Sequence, residues 1–233
     1  MPKDQTLRAH LVKWRFLDGC GLLNRAAASG STGAELLAEQ LRSRRNGYDR
    51  DLIAAALGNA TGDAGIDELR AATRTRGPQT RGLKHASLIA LTKRLQEGAT
   101  PDLIVALRDR DREVRQSAVT CLLMYGDDSA FDAVLADTLY LTRRTNRSDA
   151  IEGCIATDIA YLARVGSPWQ LQRLEEALEP YWSGLSDRRR HPIWPSNEHG
   201  EENDRPPRIA DLQRYAEQRR ANVRRLFAMK LPE

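Results

Sequence analysis

Cysteine is scarce. Cys20, Cys121 and Cys154 are an odd number, and no two form a Cys-x-x-Cys pair, so a disulfide framework is excluded. Cys121 and Cys154 lie in apolar helical surroundings and read as buried structural thiols. Long apolar runs are missing too. None approaches the roughly 18 residues that a bilayer-spanning helix needs. Residues 7–17 are interrupted by Arg8, His10, Lys13 and Arg15, so they have no apolar stretch of the kind a secretion signal carries. The expected location is therefore the cytoplasm, without a membrane association. Sustained apolar/polar alternation is absent, as are segments dense in β-branched or aromatic residues, which predicts almost no sheet.

The letters of known site chemistry are also missing. His10, His85, His191 and His199 are scattered, and none has a His or Cys at metal-ligand spacing. No H-E-x-x-H, P-loop or G-x-S-x-G occurs. Gly19-Cys20-Gly21 follows no strand, and with Gly30-Ser31-Thr32-Gly33 it reads as a short glycine turn. Asp127-Asp128 sits where carboxylates complement a helix N-terminus, with no cleft partner for acid–base work. No catalytic, metal-binding or cofactor-binding residue is expected, and no cofactor.

What is present is charge, unevenly spread, and helical periodicity. The 233 residues are 41% hydrophobic and 29% charged, with a formal net charge of +4. Lysine occurs only at positions 3, 13, 84, 93 and 230, so the basic residues are mostly arginine. Residues 1–50 and 205–230 are rich in basic side chains, whereas residues 101–200 are net acidic. Such asymmetry is the mark of an interaction segment.

Residues 100–142 give the clearest pattern. Thr100-Pro101 predicts a capped helix start, followed by Leu103, Ile104 and Leu107 on one face. Asp111 is the expected cap of the next helix, whose stripe is Val114, Ala118, Cys121, Leu122 and Tyr125. Gly126 ends it, and Asp127-Asp128-Ser129 opens a third helix with Phe131, Val134, Leu135, Thr138 and Leu139 inward. Residues 81–95 and 147–165 repeat the pattern, with stops at Gly98, Gly126 and Gly166, which is the self-similarity of helical repeats. Trp169 and Trp182 are expected to pack. Residues 183–207 lose the periodicity, and residues 209–230 return to an amphipathic, arginine-rich helix with Leu212, Ala216, Val223, Leu226 and Phe227 on one face.

Within residues 98–130 the pieces Pro101-x-Leu103, Leu107-x-Asp109, Val114-Arg115-x-x-Ala118 and Leu122-x-x-x-Gly126-Asp127 resemble a HEAT repeat. Residues 48–182 are similar more loosely. The resemblance implies an all-α fold, a right-handed α-solenoid of stacked antiparallel helix pairs. Residues 1–47 would be an N-terminal helical cap, 48–182 the solenoid, 183–207 a linker or ordered loop, and 208–233 a C-terminal basic helix. By the same resemblance, Arg115 pairs with the turn carboxylate of Asp109 or Asp111, and the second helix of each pair lines a concave face. That places Lys84, Glu113, Gln116, Thr120, Asp158 and Tyr161 as candidate partner contacts. Trp194, between prolines, and Arg220 and Arg224, on the basic helix, join them. The implied function is a non-catalytic scaffold or adaptor with a protein partner. The alternative is a nucleic-acid-binding module using the arginine-rich terminal segments, as some HEAT-like proteins hold DNA.

Overall fold

In the computed structural model, residues 3–15, 20–143, 149–183, 208–228 and 231 are described. Among them the chain is all-α, with no strand. Twelve α-helices follow in order: α1 Lys3–Lys13, α2 Gly21–Ala28, α3 Gly30–Ser43, α4 Gly47–Leu57, α5 Ile66–Thr73, α6 Arg81–Leu95, α7 Thr100–Ala106, α8 Arg112–Tyr125, α9 Phe131–Thr142, α10 Asp149–Val165, α11 Pro168–Ser183 and α12 Ile209–Ala228. The chain divides into two compact units. Unit 1 is Met1–Ser117 with Phe227–Glu233, and unit 2 is Ala118–Leu226.

The fold is solenoid-like in how helices stack. In unit 1, α4 and α6 run side by side in the same direction with α5 against α6. Small residues allow this approach. A Cβ on Gly58 would stand 2.9 Å from Ala90 Cα, and one on Gly82 would stand 2.3 Å from the Asp51 carboxylate. Leu57, Leu69, Leu83, Leu88 and Leu91 fill the seam. Lys93 reaches Asn59 at 2.8 Å, while Arg94 donates to the carbonyls of Ala64 (2.6 Å) and Gly62. Both are residues of one helix end holding the loop about one repeat earlier. In unit 2 the same pattern recurs between α8 and α10. Arg164 donates to the carbonyls of Leu122 (2.8 Å) and Gly126, and Tyr161 donates its hydroxyl to the Asp127 carbonyl at 2.5 Å. Phe131, Val134, Ile155, Ile159, Leu162 and Leu174 form the core there.

The expected caps and closures between residues 100 and 166 are met in four places. Asp111 accepts from the Glu113 N–H at 2.9 Å, and Asp127 accepts from the Ser129 N–H at 3.0 Å, so both cap as the sequence predicts. Gly126 and Gly166 close α8 and α10 through bonds to Leu122 O (2.7 Å) and Leu162 O (2.9 Å). These two glycines are required for space: an added Cβ would lie 2.9 Å from the same carbonyl oxygen in each case.

Four expectations fail. Gly98 does not stop α6; that helix ends at Leu95, Gln96 turns left-handed with φ 51°, and Gly98 lies in a 3₁₀ turn over Gln96–Ala99. That turn leads directly into α7, so Thr100 is already helical and does not cap it. Gly30-Ser31-Thr32-Gly33 is not a loop but the first turn of α3. Gly30 supplies the left-handed φ of 71° at the break from α2, and a Cβ on Gly33 would lie 1.8 Å from Ala26 O, so the two helices touch backbone to backbone. Trp169 does not pack in the core. It is 64% exposed, with the Arg173 guanidinium 4.7 Å from its ring. The side chain of Trp182 lies outside the described residues.

Candidate functional site

The seam between α6 and α8 in unit 1 opens at one end into a cleft of about 610 Å³. One wall is the α5–α6 connection, residues 73–77, with Thr80, Arg81 and Lys84 at the start of α6. The other is Val105 of α7, the turn 108–111 and Val114 of α8. Six basic side chains line it, Arg74, Arg76, Arg81, Lys84, Arg108 and Arg110, against two carboxylates, Asp109 and Asp111.

Both carboxylates are already engaged. Lys84 Nζ donates to Asp109 at 2.6 Å, and Arg81 Nε donates to Asp111 at 2.6 Å. Burial pushes the Asp109 carboxyl up, but the Lys84 ammonium and the Asp111 N–H outweigh it and hold the group below the ordinary aspartate value. Asp111 is likewise raised by burial, yet kept low by Arg81 and the Glu113 N–H. Arg81 also reaches Glu113 at 3.1 Å, and Arg74 shares the buried Asp102 with Arg70. Arg76, Arg108 and Arg110 are exposed and have no carboxylate within 4 Å among the described residues. A further positive contribution comes from the start of α6, which has no acidic residue in its first turn and no capping side chain. Val105, 54% exposed, gives the basic cleft an apolar spot, and no aromatic residue among the described ones lines it.

The sequence-predicted contact residues separate. Lys84 lines the cleft, but as a half-buried partner of Asp109. Glu113 is exposed beside it, paired with Arg81. Gln116 and Thr120 are half-buried on α8. Asp158 and Tyr161 require correction as surface contacts: they are 1% and 0% exposed. The stripe of α10 is wider than its apolar letters, because Thr138 places its hydroxyl 3.5 Å from Asp158 and the Tyr161 hydroxyl has a carbonyl to bond. Burial also pushes the Tyr161 phenol up, so it remains a neutral donor. Trp194 lies outside the described residues. On α12, Arg220 donates to Met124 O at 3.0 Å and Arg219 to Thr157 at 3.1 Å within unit 2, while Arg224 is exposed. Leu212, Tyr215, Ala216 and Val223 are buried, so this helix packs by its apolar face. Arg115 donates to the main-chain carbonyls of Asp109 (3.0 Å) and Arg110 (3.3 Å), shaping the turn whose carboxylates go to Lys84 and Arg81.

A second groove, about 360 Å³, lies in unit 2 and is lined by Gln172, Glu175, Glu176, Glu179 and Arg208. Arg208 pairs with Glu175 at 2.9 Å, and Gln172 donates to Glu176 at 3.0 Å. Five cleft arginines, Arg74, Arg76, Arg81, Arg108 and Arg110, were missed by sequence reasoning, and four of them carry a signal. Their signal was two short alternating runs, Arg74-x-Arg76 and Arg108-x-Arg110, about one repeat apart, so stacking sets them on neighbouring turns.

No family model and no curated protein matches the chain. Among solved structures, an engineered protein from the Northeast Structural Genomics Consortium has a TM-score of 0.49 and 17% identity over 97% of this chain and 98% of its own. A designed armadillo repeat protein in complex with a (KR)4 peptide has a TM-score of 0.49 and 15% identity over 94% of this chain and 95% of its own. Among the described residues, no helix is long and apolar enough to cross a membrane.

Proposed function

We propose that this chain is a non-catalytic scaffold that holds a protein partner, with the basic cleft of unit 1 as the docking place. The observation that carries this reading is the convergence of Arg76, Arg108 and Arg110, with no carboxylate within 4 Å among the described residues, on a concavity built from two successive repeat turns. Stacked helix pairs supply a rigid frame, and the turns between them carry chemistry that the frame does not need. Arginine is suited to the task, because its planar fork presents paired donors to an oxyanion. A photo-crosslinking residue in place of Thr75, in the native host, tests the reading. A defined protein should be crosslinked and lost when Arg76→Glu/Arg108→Glu is introduced. Crosslinks that are absent, or indifferent to the reversal, remove it.

The nucleic-acid reading keeps one observation in its favour, the surplus of cations in the cleft. Phosphate neutralisation would show as mobility shifts that weaken steeply with salt.

A further inference from the structure

We infer that the ligand of the basic cleft is an extended acidic peptide segment with a short aliphatic side chain among its carboxylates. This rests on the scaffold reading above and names the chemistry of the partner.

Half of the six cations in the cleft are already paired. Lys84 and Arg81 are bound to Asp109 and Asp111, and Arg74 leans on Asp102 at 3.8 Å. The three remaining arginines stand on both walls, Arg76 on the 73–77 connection and Arg108 and Arg110 on the turn before α8. A ligand between them must bring negative charge to two opposed sides at once, as an extended chain does when its carboxylates point alternately left and right.

The cleft also has a hydrophobic element. Val105 is exposed on α7, and Val114, only 1% exposed, lines the same cleft from α8. An apolar side chain between two carboxylates would cover Val105 while the flanking acids meet the arginines. A volume of about 610 Å³ accommodates a few residues of such a chain.

A nucleic-acid backbone fits less well. Non-specific binding of single strands uses aromatic platforms for the bases, and no aromatic residue among the described ones lines this cleft. A phosphate track also asks for cations spaced along a surface. Here they converge on one concavity that contains an exposed valine and two carboxylates.

Fluorescence anisotropy of the full chain tests the assignment. The probe is a labelled peptide of aspartate and glutamate with one central valine. Its comparators are the asparagine/glutamine counterpart, an all-acidic peptide without valine, and a DNA duplex as competitor. The valine-bearing acidic peptide should bind most tightly, and the amide counterpart should bind at least about tenfold more weakly. Arg76→Glu/Arg108→Glu should reduce affinity about tenfold or more, and Val105→Asp about threefold to tenfold. Arg143→Glu, exposed at the end of α9, should leave it unchanged. All substituted residues are exposed, and circular dichroism of each variant confirms that it folds.

Equal binding of the amide counterpart would overturn the acidic class while leaving the scaffold reading to the crosslinking result. Tighter binding of the duplex, sensitive to the same reversals, would overturn the inference in favour of nucleic acid and take the protein-partner reading with it. No peptide binding at all would overturn the inference alone, because the crosslink in the host is read independently.

Discussion

The α6–α8 joint of unit 1 and the α8–α10 joint of unit 2 are made with different chemistry. In unit 1 the start of α6 is tied to the turn before α8 by ion pairs, Lys84–Asp109 and Arg81–Asp111. In unit 2 α10 is held to the end of α8, and α12 to both, by charged or hydroxyl donors on neutral oxygens: Arg164 on Leu122 and Gly126, Tyr161 on Asp127, Arg220 on Met124 and Arg219 on Thr157. One consequence is a difference in response to acid. A carboxylate-based joint loses a partner on protonation, whereas a carbonyl has no proton to take. A second consequence concerns function. Carboxylates on the turn before α8 draw cations to that rim, and the arginines beyond their reach form the proposed docking surface. The same stacking therefore yields a basic cleft in unit 1 and a groove with three glutamates in unit 2.

The largest expected effect is steric and sets the scale for the electrostatic ones. Gly33→Ala in unit 1 places a methyl against the Ala26 carbonyl, where neither backbone can yield without parting α2 from α3. It should cost about 3 kcal/mol or more, measured by chemical denaturation, and be insensitive to salt. Gly153→Ala on α10 is the counterpart in unit 2. Nothing lies within 4 Å of its added Cβ, so it should stabilise by about 0.5–1 kcal/mol through helix propensity. Equal effects at the two glycines would dissolve this contrast.

Next comes Arg164→Ala, which strips a charged donor from two carbonyls at the end of α8. A loss of about 2–3 kcal/mol is expected, largely retained at mildly acidic pH, because both hydrogen-bond acceptors are uncharged and the Asp127 carboxyl, which Arg164 helps hold below its ordinary value, is still ionised there. A loss that collapses on acidification would show that the joint depends on a carboxylate after all.

Lys84→Met makes the matching lesion in unit 1. It leaves the Asp109 carboxylate, 17% exposed, without its ammonium, at a cost of about 2 kcal/mol. Here acid matters. The folded Asp109 value lies below the ordinary one, so its contribution is present above that ordinary value and is lost as pH falls through the lower folded value. Lys84→Met should flatten that arm of the pH–stability curve. The Lys84→Met/Asp109→Leu double variant should recover part of the loss, and strict additivity would show that the pair does not couple.

Legibility in the sequence followed the range of the interaction. Caps and closures within a few residues, at Asp111, Gly126, Asp127 and Gly166, could be read because both partners lie on one segment. The all-α class followed from stripes such as Val114, Ala118, Cys121 and Leu122, all buried. Readings that needed a neighbouring helix failed. Gly33 looked like a turn because Ala26 O, its reason for being glycine, is supplied by another element. Asp158 and Tyr161 looked like surface residues because their polar atoms gave no hint that a threonine and a carbonyl would meet them inside. The cleft was hidden for the same reason. Arg76 and Arg108 become neighbours only once the stacking register between α6 and α8 is known.

The smallest effect bears on the comparison from the opposite side, because unit 1 also holds a carboxylate that would be better uncharged. Asp51 on α4 sits half-buried over Gly82, and its Oδ1 has no hydrogen-bond partner. Burial pushes its pKa up from 3.8 to about 6, with Arg50 opposing only weakly. The sign is the reverse of that at Asp109. The folded state binds the extra proton, so stability is greatest below the unfolded value and falls as pH rises from about 4 to about 6. Asp51→Asn keeps the shape and removes the charge. Because the group retains contact with solvent, screening reduces the gain to about 1 kcal/mol at neutral pH, and none should remain near pH 4. Denaturation curves of both proteins across this range provide the check. A gain at neutral pH that persists unchanged in acid would assign it to packing and remove the buried charge from the account. A gain that vanishes there would show unit 1 carrying two opposed acid responses, one from a carboxylate held by Lys84 and one from a carboxylate that burial leaves underserved.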